Sequence, residues 1–574
     1  MNRRHFIKTT SGLVAMTALT PRMFSAKADR NPLVLSLIRD NDEIVRTELG
    51  RQLTTENDAR RGSIPDPYGI ASASATAIFV EAIVCAWQCP ESQYFQSAEL
   101  VAPAEAGVRY LLDAQHDDGT IDMVATNFHS TPDLAFLLEH VAPAIELLRA
   151  SQWSPAAKLL ADLEKFTLKS GEALTKGGVH TPNHRWVVCA ALARVHTLFP
   201  NDKYVARMDE WLAETVDQDA DGQYTEKSTS IYSAVVNQAL AVVARLANRP
   251  ELLDTVRRNL EMTLYYVHPD GEVVTEASKR QDKYQRGSMG RYYYCYRWLA
   301  LRDQNGRFAA MARQIEKTAA GQLNYMLVAF LTEPELLQPL PPDAPLPSDY
   351  AKVFPASNLA RIRRGDVSAT ILAENPTFFS MRKGRAALEA VRLATAFFGK
   401  GQFVADELVV EKGSYVLRQK LVGIYFQPLT PDQMAANGGK VLMAPNGTLA
   451  TTQPAKRRLS EIQTLETVVT VTESKGRFEL LIEITGTKNV PVSIELAFRA
   501  GGTLTGVETA LEGKDAYILR TGFGEYASDN QVIRFGPGKS EHLYTQVRGA
   551  LPKWEGQSVY LTALTPFRTT LQIS

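Results

Sequence analysis

The chain has 574 residues, 45% of them hydrophobic and 22% charged, which is too long for one ordinary domain and too apolar for a disordered one. Lys+Arg and Asp+Glu both number 63, for a formal net charge of +0, which argues against a nucleic-acid binder that relies on overall basicity. Four cysteines do not make a disulfide scaffold: Cys85 and Cys89 are four apart on a predicted helix, and Cys189 and Cys295 sit in apolar or aromatic contexts as buried thiols.

The N-terminus reads Arg3-Arg4-His5-Phe6-Ile7-Lys8, then a mild apolar run from Gly12 to Leu19, then Ala26-Lys27-Ala28. A twin arginine, a short apolar region and a small-x-small cleavage site predict a Tat-type export signal over residues 1–28. The run is too short to span a bilayer as a stable anchor, so a periplasmic or secreted protein with no stable membrane span is expected.

Residues 29–330 read mainly as helices. Val101 to Leu112, Leu134 to Ala150, Trp186 to Phe199, Tyr232 to Ala247 and Leu252 to Tyr266 carry helix-compatible apolar spacing. Between them Asp118-Gly119, Gly177-Gly178, Asp221-Gly222 and Asp270-Gly271 each open a polar loop, with glycines 59, 44 and 49 residues apart. A unit of about fifty residues is a helical hairpin plus a loop. Stacked hairpins bury one another's apolar faces and leave like loops on one rim; closed into a ring they form an α/α toroid, and left open a solenoid.

Residues 331–358 hold seven prolines, from Pro334 to Pro355, and form the expected joint. Over 359–574 the apolar period moves toward two, as in Phe478 to Ile484, Val492 to Leu496 and Thr467 to Thr472. The expected fold class is multidomain, α then β: an N-terminal α/α toroid followed by an antiparallel β-sandwich.

Seven of the nine histidines lie between His116 and His268, and only His542 is in the β region, so imidazole chemistry belongs to the helical part. The first loop offers Asn127 and His129, the latter as a proton acceptor or as the neighbour of a helix start at Thr131-Pro132-Asp133. The second, Gly177 to Trp186, gathers His180, Asn183, His184 and Arg185, more recognition-capable side chains than capping a helix requires. The third runs from Asp217 to Glu226. Its Asp217, Asp219, Asp221 and Gly222 match the start of a calcium loop, but the twelfth position is Ser228 and not the bidentate Glu. Tyr224, Glu226 and Tyr232 are read instead as facing a sugar. The fourth carries Glu276, Arg280, Asp282, Tyr284, Arg286 and Arg291-Tyr292-Tyr293-Tyr294; tyrosines stack on sugar faces and guanidinium groups hold carboxylates bidentately.

Helical toroid, proline-rich joint and sandwich behind an export signal resemble the polysaccharide lyases of the chondroitinase, alginate lyase and heparinase II/III type. The order Asn183-His184, Tyr232, Arg286 is similar to their carboxylate-neutralising Asn or His, catalytic Tyr and further Arg. The resemblance implies β-elimination beside a uronic acid in a poly- or oligosaccharide, with glucuronate-containing glycans as one substrate class. In that scheme His129 is the base, Tyr232 the acid, and Asn183 with His184 the carboxylate neutralisers. Asn127, His180, Arg185, Tyr224, Glu226, Asp282, Tyr284 and Arg286 make substrate contacts, and no metal or cofactor is required. Two alternatives stand beside it. One is a glycoside hydrolase with carboxylates drawn from Asp133, Glu226, Glu276 and Asp282; the other is a non-catalytic glycan-binding protein.

Overall fold

The structure, a computed structural model, describes residues 31–151, 153–447, 449, 456–511 and 513–574; the expected export signal over 1–28 lies outside the described residues. Two compact units divide the chain. One comprises the chain through Val179, Ala190–Met208 and Asn324–Gln338, and the other His180–Cys189, Asp209–Leu323 and Pro339–Ser574.

In the first unit α1 (Pro32–Arg51), α2 (Ala73–Gln88), α3 (Val101–Ala114), α4 (Thr131–Ser151) and α5 (Ala157–Leu174) pack in neighbouring pairs. Helix α1 begins where Asn31 accepts a bond from the Leu33 N–H and Pro32 takes the first helical position, and Ser72 caps α2 in the same way. Helix α2 is buried along most of its length, as expected of a helix apolar on every side. Cys85 lies within it and Cys89 caps its end; all four cysteines are buried. Helices α6 (Pro182–Leu198) and α7 (Asp202–Leu212) follow. The second unit holds α8 (Tyr232–Leu246) packed on α9 (Leu252–Thr263), and α10 (Tyr293–Asp303) packed on α11 (Gly306–Thr318).

The Asp-Gly punctuation is one turn used three times. Gly119, Gly222 and Gly271 adopt φ of 87°, 96° and 91°, the region that favours glycine. In each turn the glycine N–H donates to the carbonyl three residues earlier: His116, Asp219 and His268. A Cβ on Gly119 would lie 2.4 Å from the Lys169 carbonyl oxygen of α5, and one on Gly222 2.8 Å from that of Arg258 in α9. Gln115 donates to the carbonyls of Gly119 and Phe166, and Gln218 to those of Gly222 and Thr255. The first two turns are thereby tied to helices of their own units. The Gly177-Gly178 pair is different: neither has a positive φ.

Helix α12 (Met326–Thr332) gives way to a short 3-10 turn at Pro334–Leu337, and the first long strand, Asp349–Phe354, begins inside the proline-rich stretch. Nine strands form one sheet, in the order Glu508–Thr509, Ala516–Ile518, Gln557–Leu564, Pro491–Phe498, Ala386–Thr395, Phe379–Lys383, Val367–Leu372, Leu359–Arg364 and Asp349–Phe354. Eight form the other: Leu408–Glu411, Ser414–Phe426, Leu459–Ser474, Arg477–Gly486, Phe567–Ile573, Gln531–Gly536, Gly524–Ser528 and Thr503–Thr505. Pairing is antiparallel except between Ala516–Ile518 and Gln557–Leu564. Phe478, Leu480, Ile482 and Ile484 point alternately from Arg477–Gly486 into a core shared with Ile371, Val391 and Ile494 of the first sheet, which makes the pair a sandwich. Among the described residues no helix is long and apolar enough to cross a membrane.

Candidate active site

Pro182 is the first residue of α6, so Asn183, His184 and Arg185 lie in the opening turn of a helix and not in a loop. Proline starts a helix readily because its missing N–H would be unpaired there anyway. Asn183 is buried, and its amide donates to Glu226 Oε2 at 2.7 Å while its backbone N–H donates to the same oxygen at 3.3 Å. Its Oδ1 is buried with no hydrogen-bond partner. His184 is buried beside it, and the exposed His180 ring meets the His184 ring edge-on at 4.9 Å.

Tyr232 opens α8, its N–H held by Ser228 Oγ at 3.1 Å. Arg280 sets its guanidinium over the Tyr232 ring, 5.2 Å from the centroid, with Nε 3.5 Å from Glu226 Oε1. The neighbouring Gln281 donates to the Tyr232 hydroxyl. Asp282 anchors this loop from below: fully buried, it accepts from the Ser230 N–H and hydroxyl at 3.1 Å and from Ser278. Asn183, Glu226, Arg280, Tyr232 and Gln281 thus form one unbroken run of contacts that links the starts of α6 and α8 with the loops of Glu226 and Arg280, all within the second unit.

Further along the same loop the Tyr284 hydroxyl donates to Asn375 Oδ1 at 2.8 Å, and its ring meets Trp554 edge-on at 4.6 Å. Burial raises the Tyr284 phenol above its ordinary range. Arg286 is exposed. Glu276 is buried, accepting from Thr370 at 2.9 Å, Ser380 at 2.6 Å and the Thr275 N–H at 3.1 Å.

Other expected contacts are turned inward. Tyr224 is 2% exposed and donates its hydroxyl to Asn237 at 2.8 Å; a local bridge between Gln218 and Tyr224 sends that ring into the core. The Arg185 guanidinium bonds Glu214 at 3.0 Å and Asp217 at 2.6 Å and lies over Trp186, so it braces α6. Asp219 and Asp221 hold backbone N–H groups at Gln223 and Ser357, the work of turn aspartates. Tyr292, Tyr293 and Tyr294 are core residues.

His129 belongs to the first unit, in a two-stranded ribbon of Ile121–Met123 and Asn127–Ser130. Its φ is 48°, and Asp122 Oδ1 accepts its N–H at 2.8 Å. Asp118 Oδ2 lies 2.8 Å from Nδ1, and the His116 ring stacks on it at 3.9 Å while holding Asp122. Bonds from Thr120, then from His129, keep the Asp118 carboxyl well below the usual carboxylate range. Asn127 donates to Asp133 at 2.8 Å beside the start of α4.

No protein-family model matches the sequence, and comparison with curated proteins returns no match. Solved structures do match. Heparinase III aligns with a TM-score of 0.52 at 11% identity, over 96% of this chain and 86% of that one. A Paenibacillus xanthan lyase gives 0.56 at 8% identity, over 95% of this chain and 57% of the xanthan lyase. A Streptomyces coelicolor A3 chondroitin AC lyase gives 0.50 at 12%, over 96% and 80%. The chain has the fold of these polysaccharide lyases. The α/α toroid followed by an antiparallel β-sandwich is therefore its fold class, and the likeness at these identities is one of fold.

Arg280 and Gln281 were read from the sequence only as part of the fourth loop, and Asn375 and Trp554 were not named; all four lie in the candidate site. Arg280 is one of four cations between Lys279 and Arg286, and only the folded loop selects it. Trp554 did carry a signal, as the only one of six tryptophans beyond residue 298.

Proposed function

We propose that the protein is an exported polysaccharide lyase that cleaves a glycosidic bond next to a uronic acid by β-elimination. The observation that carries the reading is the run of contacts linking Asn183, Glu226, Arg280, Tyr232 and Gln281. It sets amide and guanidinium donors, which a uronate carboxylate needs, beside a phenol that can move a proton.

Elimination removes the proton on C5 of the uronate, and the electron pair left behind forms the C4–C5 double bond as the C4–oxygen bond breaks. The C5 proton is weakly acidic while the carboxylate is charged. Arg280 neutralises that charge, joined by the Asn183 amide once a substrate carboxylate displaces its 3.3 Å bond to Thr181 Oγ1. The enolate-like intermediate is stabilised by the same donors. Tyr232 gives its hydroxyl proton to the departing glycosidic oxygen. The C5 proton goes to a base, the role expected of His129 from the sequence; Asp118 at its Nδ1 favours the tautomer with Nε2 as the acceptor. Returning that proton to Tyr232 through solvent closes the cycle with no redox change.

The carboxylates that a hydrolase would require support this reading over that one. Asp133, Glu276 and Asp282 are each held by two or more hydroxyl or N–H donors, and Glu226 is bound to Asn183. Incubation with a panel of uronate-containing glycans tests the proposal. Far-ultraviolet absorbance from the conjugated alkene is expected to rise; new reducing ends without it would replace elimination by hydrolysis.

A further inference from the structure

The loop that brings Arg280 and Gln281 to Tyr232 closes, a few residues later, over a charged pocket within the second unit. Glu272, Glu276, Tyr284 and Arg286 line it together with Arg382, Glu389 and Arg499. The space, counting its open mouth and the solvent just beyond it, is about 300 Å³.

Its charges are unevenly matched. Arg499 bonds both oxygens of Glu272, at 3.0 and 2.7 Å, and Glu389 at 2.6 Å. Burial works against the Arg499 cation, but these bonds outweigh it and raise its pKa further. Glu272 and Glu389 are therefore already engaged by one arginine, and Glu276, the third carboxylate of the lining, by Thr370, Ser380 and the Thr275 N–H. Arg382 reaches Glu389 only through Nη2, at 3.2 Å, and stands 3.9 Å from Glu272. Its Nε and Nη1 are buried with no hydrogen-bond partner, on a side chain 6% exposed. Three N–H donors on a buried cation lack acceptors, an arrangement that costs free energy unless an acceptor enters. At the mouth Arg286 has no carboxylate partner among the described residues.

We infer that this pocket is a second acid-binding subsite, taking the carboxylate or sulfate of a sugar residue other than the one cleaved. The inference rests on the lyase reading for its ligand, a glycan. Arginine suits both anions because its planar donors match their oxygens. Tyr284 supplies a ring at the rim. Since Arg280 to Arg286 is one continuous stretch, a single acidic chain would be read at the reacting centre and again at the pocket. A glycan with acid groups on more than one sugar fits this spacing better than one with an isolated uronate.

Calorimetric titration of the full chain at constant ionic strength tests it, with sodium glucuronate and sodium sulfate as probes and glucose as the neutral control. Saturable binding of at least one anion is expected, weakened about tenfold or more by Arg286→Ala and by Arg382→Gln. Binding of sulfate alone identifies a sulfated residue as the occupant, and binding of glucuronate alone a uronate. Equal binding of glucose, no saturable binding, or affinities indifferent to both arginine substitutions would overturn the subsite. Should Arg382→Gln fail to fold, Arg286→Ala at the exposed mouth still decides. Alkene formation with unaltered anion affinity in the arginine variants would remove the subsite and leave the lyase; arginine-dependent anion binding without alkene formation on any glycan would remove the lyase reading alone.

Discussion

The Glu226 carboxylate holds Asn183 twice, taking the side-chain amide at 2.7 Å and the backbone N–H at 3.3 Å through a single oxygen. Its other oxygen faces Arg280 at 3.5 Å. Glu226 thereby fixes the Asn183 side chain, whose other amide N–H lies 3.3 Å from Thr181 Oγ1, and faces the Arg280 guanidinium. A lyase needs the acceptor and a hydrolase needs the acid, so two substitutions separate them. Glu226→Gln keeps an oxygen for Asn183 and is expected to lower kcat/KM by roughly tenfold. Glu226→Ala releases Asn183 and is expected to lower it by about a hundredfold, the kinetic equivalent of a lost charge-assisted hydrogen bond. Complete loss in Glu226→Gln would point to a carboxylic acid in the chemistry.

Tyr232 has its hydroxyl fixed by Gln281 and its ring under Arg280. Tyr232→Phe preserves the ring and removes the proton. Turnover is expected to fall by about 10²–10⁴-fold, the range for loss of a positioned acid or base, with glycan binding retained. Full activity in this variant would exclude the role.

His129 is 58% exposed at the side chain and held through Nδ1 by Asp118. His129→Ala is expected to reduce kcat strongly, and Asp118→Asn to reduce it less, because the imidazole stays while its tautomer is no longer fixed. Wild-type rates in His129→Ala would transfer the base to another group.

Arg185 was expected to contact substrate, yet its partners are Glu214, Asp217 and the Trp186 ring. Arg185→Ala is accordingly expected to cost about 2 kcal/mol of stability and to leave KM within a few fold. A large rise in KM at unchanged melting temperature would restore it to the binding surface.

His268 is buried against Ser368 Oγ at 2.9 Å. Burial, then Arg361, Arg382, Arg499 and Arg363, push its imidazole well below its usual range. The unfolded chain accepts a proton near pH 6.5 that the native state refuses. The stability it contributes is thus present above about pH 6.5 and lost as pH falls toward the depressed native value. Thermal unfolding between pH 7 and 5 should show this decline, and His268→Gln should flatten it; an equal slope in both proteins would contradict the assignment.

Much of the architecture was legible because it depends on local pattern. The period-two run from Phe478 to Ile484 buries alternate residues, and the Asp-Gly pairs at 118, 221 and 270 form the same positive-φ turn. The candidate site was legible in Asn183, Glu226 and Tyr232, all named from the polar stretches that open or precede helices. Arg280 was not, because choosing it from Lys279, Lys283 and Arg286 depends on how Asp282 ties down the loop at Ser230 and Ser278. Tyr224 misled for a related reason: a tyrosine in a polar loop reads as exposed, and only the contact with Asn237 shows the ring turned inward.

The most direct test of elimination is mass spectrometry of products formed from a uronate glycan in water enriched in heavy oxygen. Elimination adds no water, so the account predicts a new end lighter by one water than its saturated counterpart and free of the heavy isotope. A saturated product carrying one heavy oxygen would contradict it.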